Sequence, residues 1–404
     1  MDSPVSALAP FRQPGYSALA ASNAISKFGW SVSIVALVWL VRADPGAIGL
    51  IFALRAGAGL VFGIPAGLLA DRVDRRTLLI ATDLAAITIA LVTAAAAATG
   101  PLPQWGILLV ALLFGTVDSF KIASAQAYTY DLVGPLLATS GIAIAAIGIK
   151  LMSAMGNLAA GPVMDDYGAS VAFLLVAATS AVSAACLVLG APSAEVRRRR
   201  AESVPAEPPL TVRGSLILVR RNHVLALLAL AVIVTEIFGF SFLVLMPVFA
   251  DQVFETDAAG YGLMGAVSGL GGAATLVVVA IYGIRLTRGS VLLTASGVFG
   301  ASLIALALSP TLAIALIPIF VVGGMAAVSD SLSQSLMQHS TLDTERGAAM
   351  GVWTFGVGCG PIGSLAVGIA AASIGAPLTQ AVSGAVLLVL AIGLSFNRAL
   401  RTLR

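Results

Sequence analysis

Gly67-Leu-Leu-Ala-Asp71-Arg72-Val-Asp74-Arg75-Arg76 divides one long apolar run from the next. Its last six residues hold two acids and three arginines, in a chain that is only 10% charged. Fixed charge this dense does not lie in hydrocarbon, so the stretch reads as a short loop at a membrane surface. Its three arginines put that loop on the cytoplasmic side, by the positive-inside tendency. Every other segment takes its orientation from it.

Composition agrees with a membrane solvent. The chain has 404 residues, 59% of them hydrophobic, with 42 glycines and 2 histidines. Its mean hydropathy is +1.01. A soluble domain of this make-up would have almost no polar surface to hydrate. Cys186 and Cys359 both fall inside apolar segments and read as free thiols rather than a disulfide. Residues 1–14 are short and polar and the first apolar run is too long for a signal peptide, so that run is expected to be retained as a helix.

Roughly 20 apolar residues span a bilayer as a helix. On that ruler twelve segments are expected, at about 16–41, 46–70, 77–99, 104–128, 139–162, 169–191, 223–250, 259–284, 289–309, 311–337, 347–372 and 378–396. The fold class is thus an all-α polytopic membrane protein of two six-helix bundles. With 71–76 inside, both termini are cytoplasmic. The arginines agree: seventeen fall inside and Arg42 alone falls outside. The long polar interval 192–222 carries Arg197 to Arg200 and then a Pro- and Glu-rich run. It reads as a flexible linker between an N-terminal half, 1–191, and a C-terminal half, 223–404. The arginine block is a topology anchor rather than a nucleic-acid site.

The halves repeat weakly. Residues 48–79 shifted by 213 place Gly49-Leu50 on Gly262-Leu263, Arg72 on Arg285 and Arg75 on Arg288, with Ile284 where the first copy has Asp71. Such repetition is a transporter pattern, with cargo bound near mid-membrane between repeats. Gly265, Gly269 and Ala273 recur on one helical face and invite close helix packing, and Gly67 is expected to do the same for the second helix.

The opening stretch resembles the loop signature between the second and third helices of the major facilitator superfamily. Gly67, Leu69, Asp71, Arg72, Arg75 and Arg76 match it, and Asp74 stands where most members have Gly. That exchange, and the stretch Gln338 to Gly351 with Asp343, Glu345, Arg346 and Gly347, are similar to the drug- and siderophore-exporter branch, the macrolide-efflux-like and transmembrane-secretion-effector-like members. Gly156 to Pro162 partly matches the antiporter signature of the fifth helix, with Asp165-Asp166 replacing its later glycines. The arginine signature of the fourth helix is missing. The resemblance implies alternating access, no cofactor, a monomer in the bacterial cytoplasmic membrane, and a central cavity lined by segments 1, 4, 7 and 10. It also implies a conformational latch of Gly67, Asp71, Arg72, Arg75, Arg76 and Arg346, in which Asp71 docks at the start of the eleventh helix.

Charge inside the membrane needs a partner or water. The candidates are Lys27, Arg55, Asp118, Lys121 and Lys150 in the first half, with Glu236 and Asp330 in the second. Asp118 and Lys121 are three apart and can pair in place. Lys150, Ser153 and Asn157 form one polar stripe, and Asp330, Gln334 and Gln338 another. Glu236 lies about fourteen residues into segment 7 with only Thr235 polar beside it. A carboxyl in that setting can take up and release a proton, so Glu236, then Asp330 and Asp118, are the expected proton-coupling residues. Lys27, Arg55, Lys121, Lys150, Asn157 and Gln334 are the expected cavity residues. The first half then holds a cationic excess, four against Asp118, that suits an anionic group on a cargo. The same imbalance also fits cross-pairing between the halves.

The expected function is proton-coupled efflux of a drug- or siderophore-like compound. A uniporter or importer of an organic anion is the alternative. An enzyme is disfavoured: the two histidines, His223 and His339, form no metal cluster, and neither a Gly-x-Ser-x-Gly elbow nor a Walker loop is present. A non-transporting receptor would be expected to carry a sizeable extra domain.

Overall fold

The computed structural model describes residues 9–190, 218–282, 288–341 and 345–403. Among them there is no strand. In hydrocarbon every backbone N–H and C=O must be satisfied within its own segment, which leaves helix as the available form. Tyr16–Trp39 is α1, Pro45–Arg72 α2 and Arg75–Thr99 α3. The helical run Gln104–Leu189 follows, broken at Gly134 (φ 71°, ψ 172°) and Gly168 (φ 76°, ψ −177°). Side chains with a Cβ rarely adopt such φ values, so these two glycines divide the run. The pieces are α4 (104–133), α5 (135–167) and α6 (169–189).

The second half contributes α7 (His223–Val253), α8 (Ala258–Tyr282), α9 (Arg288–Ala307) and α10 (Leu312–His339). Next come α11, made of Arg346–Val357 and Gly360–Ile374, then α12 (Ala376–Ser395) and a short α13 (Arg398–Arg401). Eleven apolar helical stretches among the described residues are long enough to cross a membrane. One of these, Ile144–Leu189, has 46 residues. At the helical rise it would extend about 69 Å, more than twice a hydrocarbon core, and the Gly168 break splits it into two crossings. The expected twelve crossings are therefore present. Several run a few residues past the apolar ruler, as α4 and α5 do, because helix continues into the interface.

Two compact units emerge, Met1–Leu40 with Gly57–Ala206 and Val41–Ala56 with Glu207–Arg404. In the first, Tyr16, Leu19, Leu79, Leu132 and Leu187 form a buried cluster that joins α1, α3, α4 and α6. The Tyr16 hydroxyl donates to the Gly141 carbonyl at 2.6 Å. In the second, Leu225, Leu228, Leu332, Leu336 and Met337 anchor α7 to α10. There α9 and α12 meet backbone to backbone, since a Cβ on Gly300 would lie 2.7 Å from the Gly384 carbonyl oxygen. The first part of α2 belongs to the second unit, where a Cβ on Gly49 would meet the Ser364 carbonyl oxygen at 2.5 Å. The expected linker 192–222 lies outside the described residues as far as 217, as do Ile284 and Arg285 of the sequence repeat.

Candidate functional site

A cavity of about 340 Å³ opens inside the first unit. Asn23, Ser26, Lys27 and Trp30 reach it from α1, at the i, i+3, i+4, i+7 spacing of one helical face. From α4 come Asp118, Lys121, Ile122, Ala125, Gln126 and Thr129, again a single face, and Ala145, Ala146 and Ile149 close it from α5. Trp30 organises the polar end. Its indole N–H donates to Asp118 Oδ2 at 2.9 Å, and the Lys27 ammonium stands 3.1 Å from the centre of its ring. One aromatic side chain thus carries a cation on its face and a carboxylate at its edge.

The expected pairing of Asp118 with Lys121 is corrected by the structure. The Lys121 ammonium turns into the wall, to Asp83 of α3 and to Ser26 of α1, with Ser183 of α6 at 3.4 Å. Asp83 is 1% exposed, and its second oxygen accepts the Ser183 hydroxyl at 2.7 Å. Ser183 in turn joins Ser22 at 2.8 Å and Ser26 at 2.7 Å. Four helices meet in this knot, which settles the pairing over simple spacing along α4. Asp83 also trims the cationic excess expected in this half. The first half holds a second intramembrane acid.

The other expected cavity residues of this half lie outside that lining. Arg55 is buried, Lys150 is exposed and Asn157 is partly buried. Ser153, between the last two on the α5 stripe, meets Ser31 of α1 at 2.8 Å.

Glu236 sits in the second unit where α7 stops being regular. Thr235–Gly239 is a π-helical turn, closed by the Phe240 N–H on the Thr235 carbonyl at 3.0 Å. Such widened turns often occur at functional positions. Glycines on α11 let that helix lie directly against this turn. A Cβ on Gly356 would meet Val232, one on Gly360 would stand 3.3 Å from Glu236 Oε2, and one on Gly363 would reach 2.5 Å from the Ile237 Cα. The Glu236 carboxyl therefore faces the break in α11 at Gly358 and Cys359. Asp330 of α10 lies close enough for its charge to act on Glu236. Asp330 is exposed, and Gln334, one turn on, is partly buried.

In the loop from α2 to α3, the arginines grip their own unit. Arg75 donates to the Asp131 carboxylate at 2.6 Å and to the Ala70 and Ala127 carbonyls. Arg76 donates to the Leu187 and Val188 carbonyls at 2.7 Å each, capping the C-terminal end of α6 where a cation is favoured. Asp74 caps α3, accepting the Thr77 N–H at 2.9 Å. Arg72 is exposed in the last turn of α2. The close approach expected at Gly67 is not there, since a Cβ on it would meet nothing within 4 Å. The Asp71 latch lies outside the described residues, which include neither the Asp71 nor the Arg346 side chain.

Trp30, Asn23, Ser26, Asp83 and Ser183 were missed from sequence. The polar spacing along α1 and a lone acid inside α3 were the signals that could have found them.

Known proteins bear on this arrangement. A family model described as a transmembrane secretion effector matches residues 5–403. A staphyloferrin A transporter of Staphylococcus aureus (strain NCTC 8325 / PS 47) is 23% identical over 328 residues, covering 80% of this chain and 81% of that one. The solved nucleoside transporter NupG superposes with a TM-score of 0.74 at 14% identity, covering 96% of this chain and all of that chain (100%). An auto-inhibited peptide transporter of the POT family gives 0.71 at 13%, covering 95% and 96%. These two likenesses concern the fold. The chain is an integral membrane transporter of the major facilitator kind and belongs to the transmembrane secretion effector family.

Proposed function

We propose that the chain is a proton-coupled exporter of a small drug- or siderophore-like molecule, working by alternating access. It acts as a monomer in the bacterial cytoplasmic membrane with both termini inside, its halves 1–191 and 223–404 joined by the linker 192–222. The observation that carries this reading is a division of labour between the units. One holds a largely apolar cavity of about 340 Å³ with Trp30, Lys27 and Asp118 at its polar end, within the roughly 300–1,000 Å³ of small-molecule sites. The other holds the Glu236 carboxyl in a π-turn against a broken helix, with Asp330 on α10.

In this reading the cargo lies on Trp30 between Lys27 and Asp118, which suits a molecule with both an aromatic or apolar body and a charged group. Glu236 takes a proton in one state and gives it up in the other, and the pliable backbone around it lets α7 and α11 shift as its charge changes. Asp71, Arg72 and Arg346 act as the latch, and Arg75 and Arg76 hold its frame. The resemblance to a staphyloferrin A transporter supports a siderophore-like cargo.

Proton movement in proteoliposomes tests this directly. An internal pH dye is read while cationic, neutral and anionic compounds are added in turn. Export by exchange predicts proton flow opposite to the compound. Compound movement with no proton signal makes the protein a facilitator and removes the coupling.

A further inference from the structure

We propose that Lys121 is an anion-binding residue of the cavity and that Asp83 is its resident counter-ion. A carboxylate on the cargo and the Asp83 carboxylate then compete for one ammonium. The inference rests on the reading above only in placing cargo in this cavity.

Lys121 lines the cavity beside Ser26, and its ammonium is held there by Ser26 and by Asp83 behind it. Its side chain is 14% exposed, against 1% for Asp83. The two partners therefore differ in freedom. Asp83 is pinned from behind by Ser183, which Ser22 and Ser26 hold in place. Lys121 is a compact charge on a flexible four-carbon stem with three donors, so it can swing to the cavity while Asp83 stays. The groups that face Asp83 among the described residues are the Lys121 ammonium from α4, the Ser183 hydroxyl from α6 and, through these, Ser22 and Ser26 of α1. Lys27 and Asp118 line the same cavity, the first on the Trp30 ring and the second on its N–H.

A consequence follows for charge balance. When a cargo carboxylate draws Lys121 out, Asp83 is left as a buried anion with the Ser183 hydrogen bond alone. An unpaired buried charge is costly and is relieved by neutralisation. The Asp83 carboxylate takes one proton from water, –COO⁻ + H⁺ → –COOH. Binding of a carboxylate cargo thus loads one proton onto Asp83, separate from the proton that Glu236 exchanges against the cargo. A neutral cargo leaves the Asp83–Lys121 pair closed and brings none.

The test uses the full chain purified in detergent, with 2-naphthoate and 2-naphthamide as probes matched in shape and differing in charge. Tryptophan fluorescence reports binding, since Trp30 lies on the cavity wall, and a pH-indicator dye in weak buffer reports proton uptake. Wild-type protein is expected to take up about one proton per naphthoate, so that its affinity falls about tenfold per pH unit on the alkaline side. Naphthamide should bind without uptake. Asp83→Asn should bind naphthoate at pH 8 at least about tenfold more tightly, with the uptake gone. Lys121→Gln should lose the preference for naphthoate over naphthamide.

Naphthoate bound without a proton overturns the inference, as does uptake that persists in Asp83→Asn or failure of the wild type to bind naphthoate at millimolar concentration. The wild-type measurements decide the matter even if Asp83→Asn does not fold. Because binding is read in detergent, a protein that takes up naphthoate with its proton but exports nothing in proteoliposomes would sink the exporter reading and leave this one standing.

Discussion

Asp74 stands where most members of the superfamily carry glycine, and its side chain caps α3 through the Thr77 N–H. Replacing a capping Asp by Ala costs about 1 kcal/mol, and by Gly a few tenths. Asp74→Ala should therefore lower the thermal midpoint in detergent visibly, while Asp74→Gly barely moves it. Equal losses would mean the cap is not what this residue supplies. Arg76 offers a sharper case, because its guanidinium satisfies two carbonyls at the end of α6. Losing a charged donor there costs about 1–3 kcal/mol, so Arg76→Ala should melt earlier and Arg76→Lys should recover part of the loss. The arginines of this loop were legible as topogenic charge. Their carbonyl partners were not, because Leu187 and Val188 come from a helix more than a hundred residues away.

At the scale of elements, the pairing of α7 with α11 depends on missing side chains. Gly356, Gly360 and Gly363 recur at i, i+4, i+7 and bring the α11 backbone against residues 232–237. A Cβ at Gly363 would stand 2.5 Å from a backbone carbon, which cannot give way as a side chain end can. Gly363→Val should cost about 1–3 kcal/mol by overpacking. Gly67→Ala, with open space around it, should be neutral in the same thermal melt. A reversal of that order would mean that α7 and α11 do not approach as described. The glycine spacing was visible in the sequence, but the π-turn was not. Thr235 to Gly239 carries no proline or other residue that would mark it in the sequence. Glu236 was found as a lone acid in an apolar run. Its seat against the break in α11 needed the fold.

Across the whole molecule, what a bilayer dictates was readable and what side chains negotiate was not. Twelve crossings follow from the need to satisfy every backbone group within a segment about 20 residues long. Element ends shifted by a few residues, most where helix runs on without a gap around Gly134 and Gly168. Charge pairing is a different problem. Asp118 and Lys121 share a face, yet the Lys121 ammonium goes to Asp83, because three other helices bring Ser22, Ser26, Ser183 and Asp83 to one point. Local spacing carries no record of that meeting.

The central claim is that a proton on Glu236 drives the cargo that the α1–α4 cavity holds. It is tested most directly by comparing two modes of transport in Glu236→Gln proteoliposomes. A compound that evokes proton movement in the wild type is followed first in exchange, with equal pH on both sides, and then under an imposed pH gradient. The account predicts that exchange continues, because the cavity in the other unit is untouched, while accumulation driven by the gradient disappears. Gradient-driven accumulation that survives in Glu236→Gln would contradict it.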